Sequence, residues 1–403
     1  MEWYSMSQKL VDLNPDLVRL RDEGYSVEVR DAHLVVSDIP YVNAQKQVQR
    51  GVLVSELTMV NNRTQQPSTH VIQFTGEYPC TNEGRPIEAI RNQSQRRQIA
   101  PGLFVDHAFS SKPKAGSYKD YFEKVRTYAG ILAGYAQAID PTASPLIFRP
   151  QVNTEESTVF QYIDTASSRA GIALLSRKLT TSRIAIIGLG GTGSYLLDFI
   201  AKTPVGEIHL FDGDQFFQHN AFRAPGAPSS AELERGMPKV EYFKQIYSRM
   251  HRGIVAHPNF VGRADLEFVK TMDFVFICMD SGPAKRMLIE ALHEANKPFI
   301  DVGMGIELAE DVLTGIARVT TSTSGHRDHV WDCVSFADNA AENVYARNIQ
   351  IAEMNALNAA LAVIQWKKLC GFYFDPTPSF NMTYLISTNK LLRDEAKDGD
   401  APR

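Results

Sequence analysis

A glycine-rich turn between an apolar run and a helical pattern constrains the fold of this 403-residue chain more than any other feature. The run Arg183–Leu189 reads RIAIIGL, which is typical of a buried parallel strand, and Gly188–Gly193 reads GLGGTG. Glycines at this spacing permit a tight turn and let backbone N–H groups approach a phosphate, and the helix predicted over Ser194–Lys202 adds a favourable dipole. The sequence therefore predicts a nucleotide-binding strand–turn–helix unit; the alternative is a turn that only packs the helix on the strand.

Strands and helices alternate on both sides of this turn. Further strands are predicted at Glu207–Asp212, Asp273–Met279, Pro298–Val302 and Phe380–Ser387, and further helices at Ser157–Leu179, Pro238–Met250, Pro283–Asn296 and Ala340–Leu369. This alternation predicts an α/β fold with a doubly wound, mostly parallel, Rossmann-like sheet. We expect this domain to cover residues 157–390 and to be followed by a flexible tail, residues 391–403.

The first 150 residues have a different pattern and predict a separate α+β domain. Val27–Val36 predicts a strand or a hairpin, Gly51–Val60 and His70–Thr75 predict further strands, and a predicted helix covers Tyr118–Ile139. The Tyr78-Pro79 turn and the long helix resemble, loosely, those of ubiquitin-conjugating enzymes, but Cys80 directly follows the turn and does not match a conjugating site. A partner-binding module is the alternative interpretation. Residues 151–156 are polar and predict a linker.

Composition narrows the class of protein. Hydrophobic residues make up 44% of the chain and charged residues 22%, values typical of a globular protein with a sizeable core. The net charge of −4 is small and the charges are interspersed, so we expect no nucleic-acid partner. No apolar run approaches the ~20 residues of a membrane span, and the start of the chain does not look like a signal peptide. These features predict a cytoplasmic location. The four scattered cysteines predict neither a disulfide framework nor a zinc ribbon.

The glycine turn fits either NAD or ATP, so residues downstream must discriminate between them. Asp212 ends the next strand about 20 residues further on, where its carboxylate can bond a ribose hydroxyl. Beyond it, Arg223 and Lys239 supply cations that can neutralise phosphate oxygens, and Asp280, after a later strand, can hold Mg²⁺. A triphosphate needs such a set, whereas a dehydrogenase would leave it idle. The pattern therefore favours ATP.

With these residues the C-terminal 250 or so residues resemble the ThiF/MoeB/ubiquitin-activating-enzyme superfamily of adenylyltransferases. That family shows GxGGxG, D-x-D, an N-L-x-R-Q segment, a lysine and C-x-D on a later strand. The corresponding segments here are GLGGTG, Asp212–Asp214, Asn220–Arg223, Lys239 and Cys278–Asp280. The resemblance covers about Ser157–Ile386. It departs from the family at Ala224-Pro225, where the glutamine is missing, and in lacking paired zinc-binding CxxC motifs.

The resemblance implies MgATP-dependent adenylylation of the C-terminal carboxylate of a ubiquitin-like protein, with release of pyrophosphate. It implies Mg²⁺ on Asp280, and a homodimer in which Arg169 is given across the interface to the partner's ATP. A conjugating enzyme is a candidate further partner. The residues that it implies as nucleotide contacts are Gly188, Gly190, Gly191, Gly193, Asp212, Asp214, Asn220, Arg223 and Lys239.

Cys333 is the candidate nucleophile for a second step, in which the acyl group passes from AMP to a thiol. It lies in a polar stretch, Ser322–Asp338, that predicts irregular structure, and His326, Arg327 and His329 are close enough in sequence to lower the pKa of its thiol. The other cysteines of this domain are predicted to be core residues. Ser335 is an alternative acceptor that would give an oxyester.

The sequence is also compatible with three other functions. One is an adenylyltransferase that modifies a short peptide, because the motifs do not name the carboxylate. A second is a catalytically inactive scaffold that uses the fold to bind a partner, although the set Arg223, Lys239 and Asp280 argues against it. The third is an NAD-dependent oxidoreductase, which would explain the glycine turn and Asp212 alone.

Overall fold

The computed structural model describes residue 7 and residues 10–150, 158–180, 183–280, 282–336 and 349–395. The chain divides into two compact units, of which the first comprises Met1–Glu155 and Tyr162–Arg169 and the second Glu156–Gln161 and Ala170–Arg403. The linker predicted at 151–156 lies outside the described residues. In the described part of the chain, no helix has both the length and the apolar character that crossing a membrane requires.

The first unit is built on an antiparallel sheet. Its strands are β1 Ser26–Arg30, β2 His33–Val42, β3 Val48–Glu56, β4 Met59–Val60, β5 Arg63–Thr64, β6 Val71–Thr75, β7 Arg91–Ala100 and β8 Leu103–Ser110, with helices α1 Pro15–Glu23, α2 Tyr121–Gln137 and α3 Thr165–Arg169 and a 3₁₀ turn at Glu88–Ile90. Six of these strands form the sheet, in the order β1-β2-β3-β6-β8-β7, while β4 and β5 pair with each other. The predicted α+β character is confirmed.

Local sequence explains the elements of this unit. Asp31 and Ala32 both have positive φ, 44° and 59°, as a two-residue turn between antiparallel strands requires. Helix α2 starts where Asp120 accepts a hydrogen bond from Glu123 N at 2.8 Å. Cys80 is buried, and desolvation raises the pKa of its thiol, which fits a core residue better than a conjugating site.

The second unit contains the predicted doubly wound sheet. Its strands are β9 Arg183–Ile187, β10 Glu207–Phe211, β11 Ile254–His257, β12 Phe274–Ile277, β13 Phe299–Ala309, β14 Val312–Ser322, β15 Ser379–Leu385 and β16 Lys390–Glu395. Its helices are α4 Ala173–Ser176, α5 Gly191–Ile200, α6 Gln218–Ala221, α7 Ser230–Glu234, α8 Lys239–Tyr247, α9 Leu266–Val269, α10 Gly282–Glu294, α11 Val330–Cys333 and α12 Ala352–Leu369, with 3₁₀ turns at Arg177–Leu179 and Arg263–Asp265.

The strands follow the order β11-β10-β9-β12-β13-β14-β15-β16. The first five are parallel and the last three continue the sheet antiparallel. Alternate residues of β9 enter different hydrophobic clusters: Ile184 and Ile186 belong to one, and Ala185 and Ile187 to the other. Helices therefore cover both faces of the parallel part, which is why its strands are almost uniformly apolar. The predicted α/β fold is confirmed.

Two helix predictions need correction. The single helix predicted at Ser157–Leu179 is wrong: residues 158–164 are not helical, and the rest is split into α3, α4 and a 3₁₀ turn. Gly171 has a left-handed φ of 69°, which breaks the helix at that point. The long helix predicted from Ala340 starts at Ala352 in the structure, and its residues 340–348 lie outside the described part.

The end of the chain also differs from the prediction. The tail predicted over 391–403 is wrong for its first residues, because β16 pairs antiparallel with β15. Asn389 supplies the turn between them with φ 53°. Residues 396–403 of the predicted tail lie outside the described part. Strand β14 was not predicted, although it pairs with β13 over eleven residues.

Candidate functional site

A cavity of about 470 Å³ lies at the carboxyl ends of β9, β10 and β12 and is also lined by Val302–Met304 from the middle of β13. Its volume is within the range typical of small-molecule sites. Five charged side chains predicted from sequence line it together: Asp212, Asp214, Arg223, Lys239 and Asp280. Three of the predicted glycines, Gly188, Gly190 and Gly191, line it too. Such crevices outside the carboxyl ends of parallel strands are where ligands bind in open α/β sheets.

The glycines of the turn have separate reasons to be glycine. Gly188 has φ 94°, and a Cβ there would lie 2.6 Å from the carbonyl oxygen of Cys278. A Cβ at Gly193 would lie 1.9 Å from Gly188 O, so this glycine serves the packing of α5 on the turn and is not among the lining residues. At Gly190, by contrast, a Cβ would meet nothing within 4 Å among the described residues. Its backbone is therefore open to a ligand from the cavity, next to the N-terminus of α5.

An ion-pair network fixes the carboxylates at the end of β10. Lys239 Nζ lies 2.7 Å from Asp214 Oδ2 and 3.5 Å from Asp212 Oδ1. Asp212 also accepts hydrogen bonds from Leu189 N at 2.6 Å and Asp214 N at 2.9 Å, which ties the end of β10 to the glycine turn. Lys239 and Asp212 are both buried, so this part of the wall is held in place before any ligand binds.

Arg223 has a donor that the described residues leave unused. Its Nε is buried and has no hydrogen-bond partner there, while the Arg223 backbone carbonyl accepts a bond from Asn355 Nδ2 at 3.3 Å. Asn355 also accepts from Thr192 Oγ1 at 3.0 Å, so it connects Arg223 to the glycine turn. A buried cationic donor without a partner fits an anionic ligand in the cavity.

The remaining predicted residues lie in different surroundings. Asp280 is exposed at the cavity rim, just beyond β12. Asn220 is buried, accepts a hydrogen bond from Phe217 N at 2.9 Å, and is not among the lining residues. Arg169 is exposed at the end of α3, in the first unit. The roles predicted for Asn220 and Arg169 stay predictions.

The surroundings of Cys333 differ from those predicted. Burial and, less strongly, the charge of Asp394 raise the pKa of its thiol. The three neighbours expected to lower that pKa face elsewhere: His326 stacks on an aromatic ring at 3.9 Å, Arg327 donates to a backbone carbonyl at 3.1 Å, and His329 lies 3.0 Å from another carbonyl. The predicted lowering of the pKa is therefore wrong. Cys333 lies in a short helix, α11, and is not among the residues that line the cavity.

A buried charge network lies beneath the β13 side of the cavity. Asp301 is 0% exposed, with its carboxylate 2.9 Å from Lys285 Nζ and in a hydrogen bond with the Arg318 guanidinium. Arg318 also donates to the backbone carbonyl of Cys333, which links β14 to α11. A Cβ at Gly303 would lie 2.8 Å from Arg318 Nη2, so a side chain there would displace the guanidinium from its present position.

Sequence reasoning missed several residues of the wall. Phe260 lines the cavity with 69% of its surface exposed, and its ring fills the space next to Gly213. Asn358 and Gln350 also line the cavity, and Asn358 is hydrogen-bonded to Gly303 in β13. Asn358 was detectable, because it shares one face of an Ala- and Leu-rich helix with Asn355, three residues earlier. Phe260 had no comparable signal, since it lies in a loop without a motif.

Curated relatives match only part of this chain. The SUMO-activating enzyme subunit uba-2 of Caenorhabditis elegans is 28% identical over 133 residues, which is 32% of this chain and 22% of that protein. Ubiquitin-like modifier-activating enzyme 5 of Gallus gallus is 26% identical over 166 residues, 37% of this chain and 40% of that protein. The chain thus covers less than half the length of each of these relatives.

Solved structures give a weaker comparison. The crystal structure of E. coli MccB with ATP has a TM-score of 0.43 and 21% identity, covering 56% of this chain and 66% of that one. The crystal structure of PaaA has a TM-score of 0.45 and 17% identity, covering 67% of this chain and 92% of that one. These values are too low to support an argument about the site.

Family models cover most of the sequence. A model described as a domain of unknown function, DUF6791, matches residues 15–165. The model of the ThiF family matches residues 165–388, more than half of the chain, including the whole turn and every charged residue that lines the cavity. This protein belongs to the ThiF family.

Proposed function

We propose that the second unit uses MgATP to adenylylate the C-terminal carboxylate of a ubiquitin-like protein. The observation that carries the proposal is the meeting of Asp212, Asp214, Arg223, Lys239 and Asp280 in one cavity beside the glycine turn. These residues come from four separate segments of the chain, and a site for a dinucleotide alone would not need two cations and a rim carboxylate. Membership of the ThiF family supports the same reaction class.

The reaction is a displacement at the α-phosphorus of ATP. A carboxylate oxygen of the substrate forms the new P–O bond, the bond to the oxygen that bridges the α- and β-phosphates breaks, and pyrophosphate leaves with the electron pair. Arg223 and Lys239 would stabilise the charge that develops on the phosphate oxygens. The unpartnered Arg223 Nε suits this role because it needs an acceptor that the described residues do not supply.

Asp280 is the residue that would hold Mg²⁺. Within the described residues, no group of three or more His, Cys, Asp or Glu side chains could hold a metal ion on its own. An exposed carboxylate at the rim fits an ion that takes most of its ligands from phosphates and water. Bound there, Mg²⁺ would supply charge neutralisation for the leaving pyrophosphate.

The substrate class rests on the relatives. The names of two of them describe activation of SUMO and of a ubiquitin-like modifier, which supports a protein with a C-terminal tail as the carboxylate donor. A short peptide would also carry a C-terminal carboxylate and is the alternative substrate. We also propose, from the resemblance, that the protein works as a homodimer in the cytoplasm and hands its product to a conjugating enzyme.

Exchange of labelled pyrophosphate into ATP tests the proposal. We expect exchange with a ubiquitin-like β-grasp protein that ends in glycine, and a loss of roughly 10²- to 10³-fold in Lys239→Ala, because a donor to the phosphates is removed. Lys244→Ala, on the same helix and outside the cavity, should exchange like the wild type. If exchange occurs only with a short peptide, the proposed adenylylation stands and the proposed protein substrate is wrong. ATP binding without any exchange would favour a scaffold.

Transfer of the acyl group to Cys333 is a proposed second step. The thiolate would attack the acyl carbon and AMP would leave. The raised pKa of this thiol disfavours the thiolate, which is the attacking form. Substitution of Cys333 therefore has to show whether the step occurs. Cys333→Ala should keep pyrophosphate exchange and lose a thiol-sensitive adduct with the substrate. An adduct that survives both the substitution and a thiol reductant would point to an oxyester instead.

A further inference from the structure

Asn358 has one end of its side-chain amide fixed and the other unused. Its Nδ2 donates to the backbone carbonyl of Gly303 at 3.0 Å, so the orientation of the amide is set. The residue is 0% exposed and lies in the cavity wall. Its Oδ1 is buried and has no hydrogen-bond partner among the described residues. The wall therefore contains an acceptor that still needs a donor.

Such an acceptor is costly unless something in the cavity pairs with it. Leaving a buried carbonyl oxygen unpaired costs free energy comparable to a lost hydrogen bond, and on α12 an alanine or leucine would avoid that cost. Gln350 has a second buried oxygen, Oε1, without a partner in the described part of the chain, and it lines the same cavity. Two unused acceptors on residues that line one cavity indicate a ligand with hydrogen-bond donors.

The strand order separates this wall from the nucleotide contacts. Asp212, which would bind ribose, follows β10, and the glycine turn follows β9. Asn358 is bonded to Gly303 in β13, which is separated from β9 by β12. A nucleotide with its ribose at β10 and its phosphates at the turn leaves the β13 side for the group joined to the α-phosphate. Val302 and Met304 add apolar surface there.

We propose that Asn358 Oδ1 accepts a hydrogen bond from the backbone N–H of the last residue of the acyl substrate. This inference rests on the proposed adenylylation and adds a rule for the substrate: its C-terminal residue must carry an amide hydrogen. Proline or an N-methylated residue at that position leaves Asn358 unpaired and binds less well. Asn358 acts here as a specificity-determining residue and takes no part in bond making.

Analogues of the acyl-adenylate test the assignment without the natural substrate. The probes are 5′-sulfamoyladenosine, its N-acetylglycyl derivative and its N-acetylsarcosyl derivative, in which a methyl group replaces the amide hydrogen. Glycine is chosen because any site that takes an aminoacyl group has room for it. Calorimetric titration of the full chain should show about tenfold weaker binding of the sarcosyl than of the glycyl compound to the wild type.

The variant Asn358→Leu should bind the two derivatives with similar affinity, because the acceptor is gone. It should bind 5′-sulfamoyladenosine like the wild type, which shows that the nucleotide site is folded. Ile364→Ala, an exposed position on the same helix, should keep the tenfold preference. Equal binding of both derivatives to the wild type would overturn the assignment even if the variant does not fold. Failure of all three compounds to bind the wild type would instead remove the proposed function and this inference with it.

Discussion

At the scale of single residues, Lys124 is a buried amine whose charge the fold tolerates poorly. Its Nζ donates to two neutral oxygens, Ser55 Oγ and Thr69 O, each at 2.9 Å. Burial lowers the pKa of Lys124 to about 8, and the charge of Glu56 acts in the opposite direction without cancelling the shift. Below pH 8 both folded and unfolded chains hold the proton, so the cost of burying the charge is present in full.

Stability should therefore rise with pH between about 8 and 10.5, where the unfolded chain binds the proton that the folded chain has lost. From pH 8 to 9.5 we expect the free energy of unfolding of the wild type to gain about 1–2 kcal/mol over that of Lys124→Met. Urea unfolding followed by circular dichroism measures this difference, with the exposed Lys119→Met as control. Parallel pH profiles for the wild type and Lys124→Met would contradict the prediction.

Cys333 should react as an unactivated thiol. Because burial and Asp394 raise the pKa of its thiol, only a small part is thiolate at neutral pH. We expect iodoacetamide to modify Cys333 more slowly than a small free thiol at pH 7.5, with a rate that rises steeply above pH 9. Peptide mass spectrometry after timed labelling gives the rate. Fast labelling at pH 7 would show an activated nucleophile and would strengthen the case for acyl transfer.

The residues of the site were predictable where a chemically suitable side chain directly follows a buried strand. Asp212 and Asp280 follow buried strands, and carboxyl ends of parallel strands meet at one edge of a sheet, so their meeting in the cavity was foreseeable. Asn220 matches the family motif, but its side chain accepts a hydrogen bond from Phe217 N at the start of α6 and does not line the cavity. The orientation of His326, Arg327 and His329 depends on tertiary contacts, which sequence spacing does not reveal.

At the scale of elements, the β13–β14 hairpin depends on its buried charges. Asp301 in β13 neutralises Lys285 from α10 and Arg318 from β14 together. Removing its charge leaves two cations partly or fully buried without a counterion, which typically costs about 3–5 kcal/mol.

We therefore expect Asp301→Asn to lower the thermal unfolding midpoint by about 10 °C, as measured by calorimetry. Asp311→Asn removes an exposed carboxylate from the turn of the same hairpin and should leave the midpoint within about 1 °C. Equal midpoints for Asp301→Asn and the wild type would show that the network contributes nothing to stability.

The helices and strands differ in how well their local sequences predict them. Strands β9, β10 and β12 are buried on both faces, so continuous apolar runs identify them. Strand β7 reads RNQSQRRQIA and is exposed along its first eight residues, so neither alternation nor hydrophobicity predicts it. Its place in the sheet comes from pairing with β8, and that of β16 from pairing with β15, partners that no local pattern specifies.

At the scale of the whole molecule, the proposed homodimer implies that each ATP site contains residues from both subunits. If Arg169 acts on the partner's ATP, a homodimer of Arg169→Ala subunits and a homodimer of Lys239→Ala subunits should each bind MgATP more weakly than the wild type. A heterodimer of one subunit of each kind, isolated with two affinity tags, contains one site with both residues intact. It should bind one MgATP per dimer with wild-type affinity.

Arg177→Ala, an exposed arginine on the following 3₁₀ turn, should bind MgATP normally. A heterodimer as weak as either homodimer would place Arg169 outside the partner's site. A protein that stays monomeric at micromolar concentration would exclude the shared site altogether.

Calorimetric titration with MgATP shows whether the cavity binds a triphosphate, with NAD as comparator and the Lys239→Ala, Asp280→Ala double variant beside the wild type. We expect one MgATP bound per wild-type chain, at least a tenfold loss of affinity in the double variant, and no heat with NAD. Binding of NAD without binding of MgATP would contradict it, because the cations and the rim carboxylate of the cavity would then have no phosphate chain to hold.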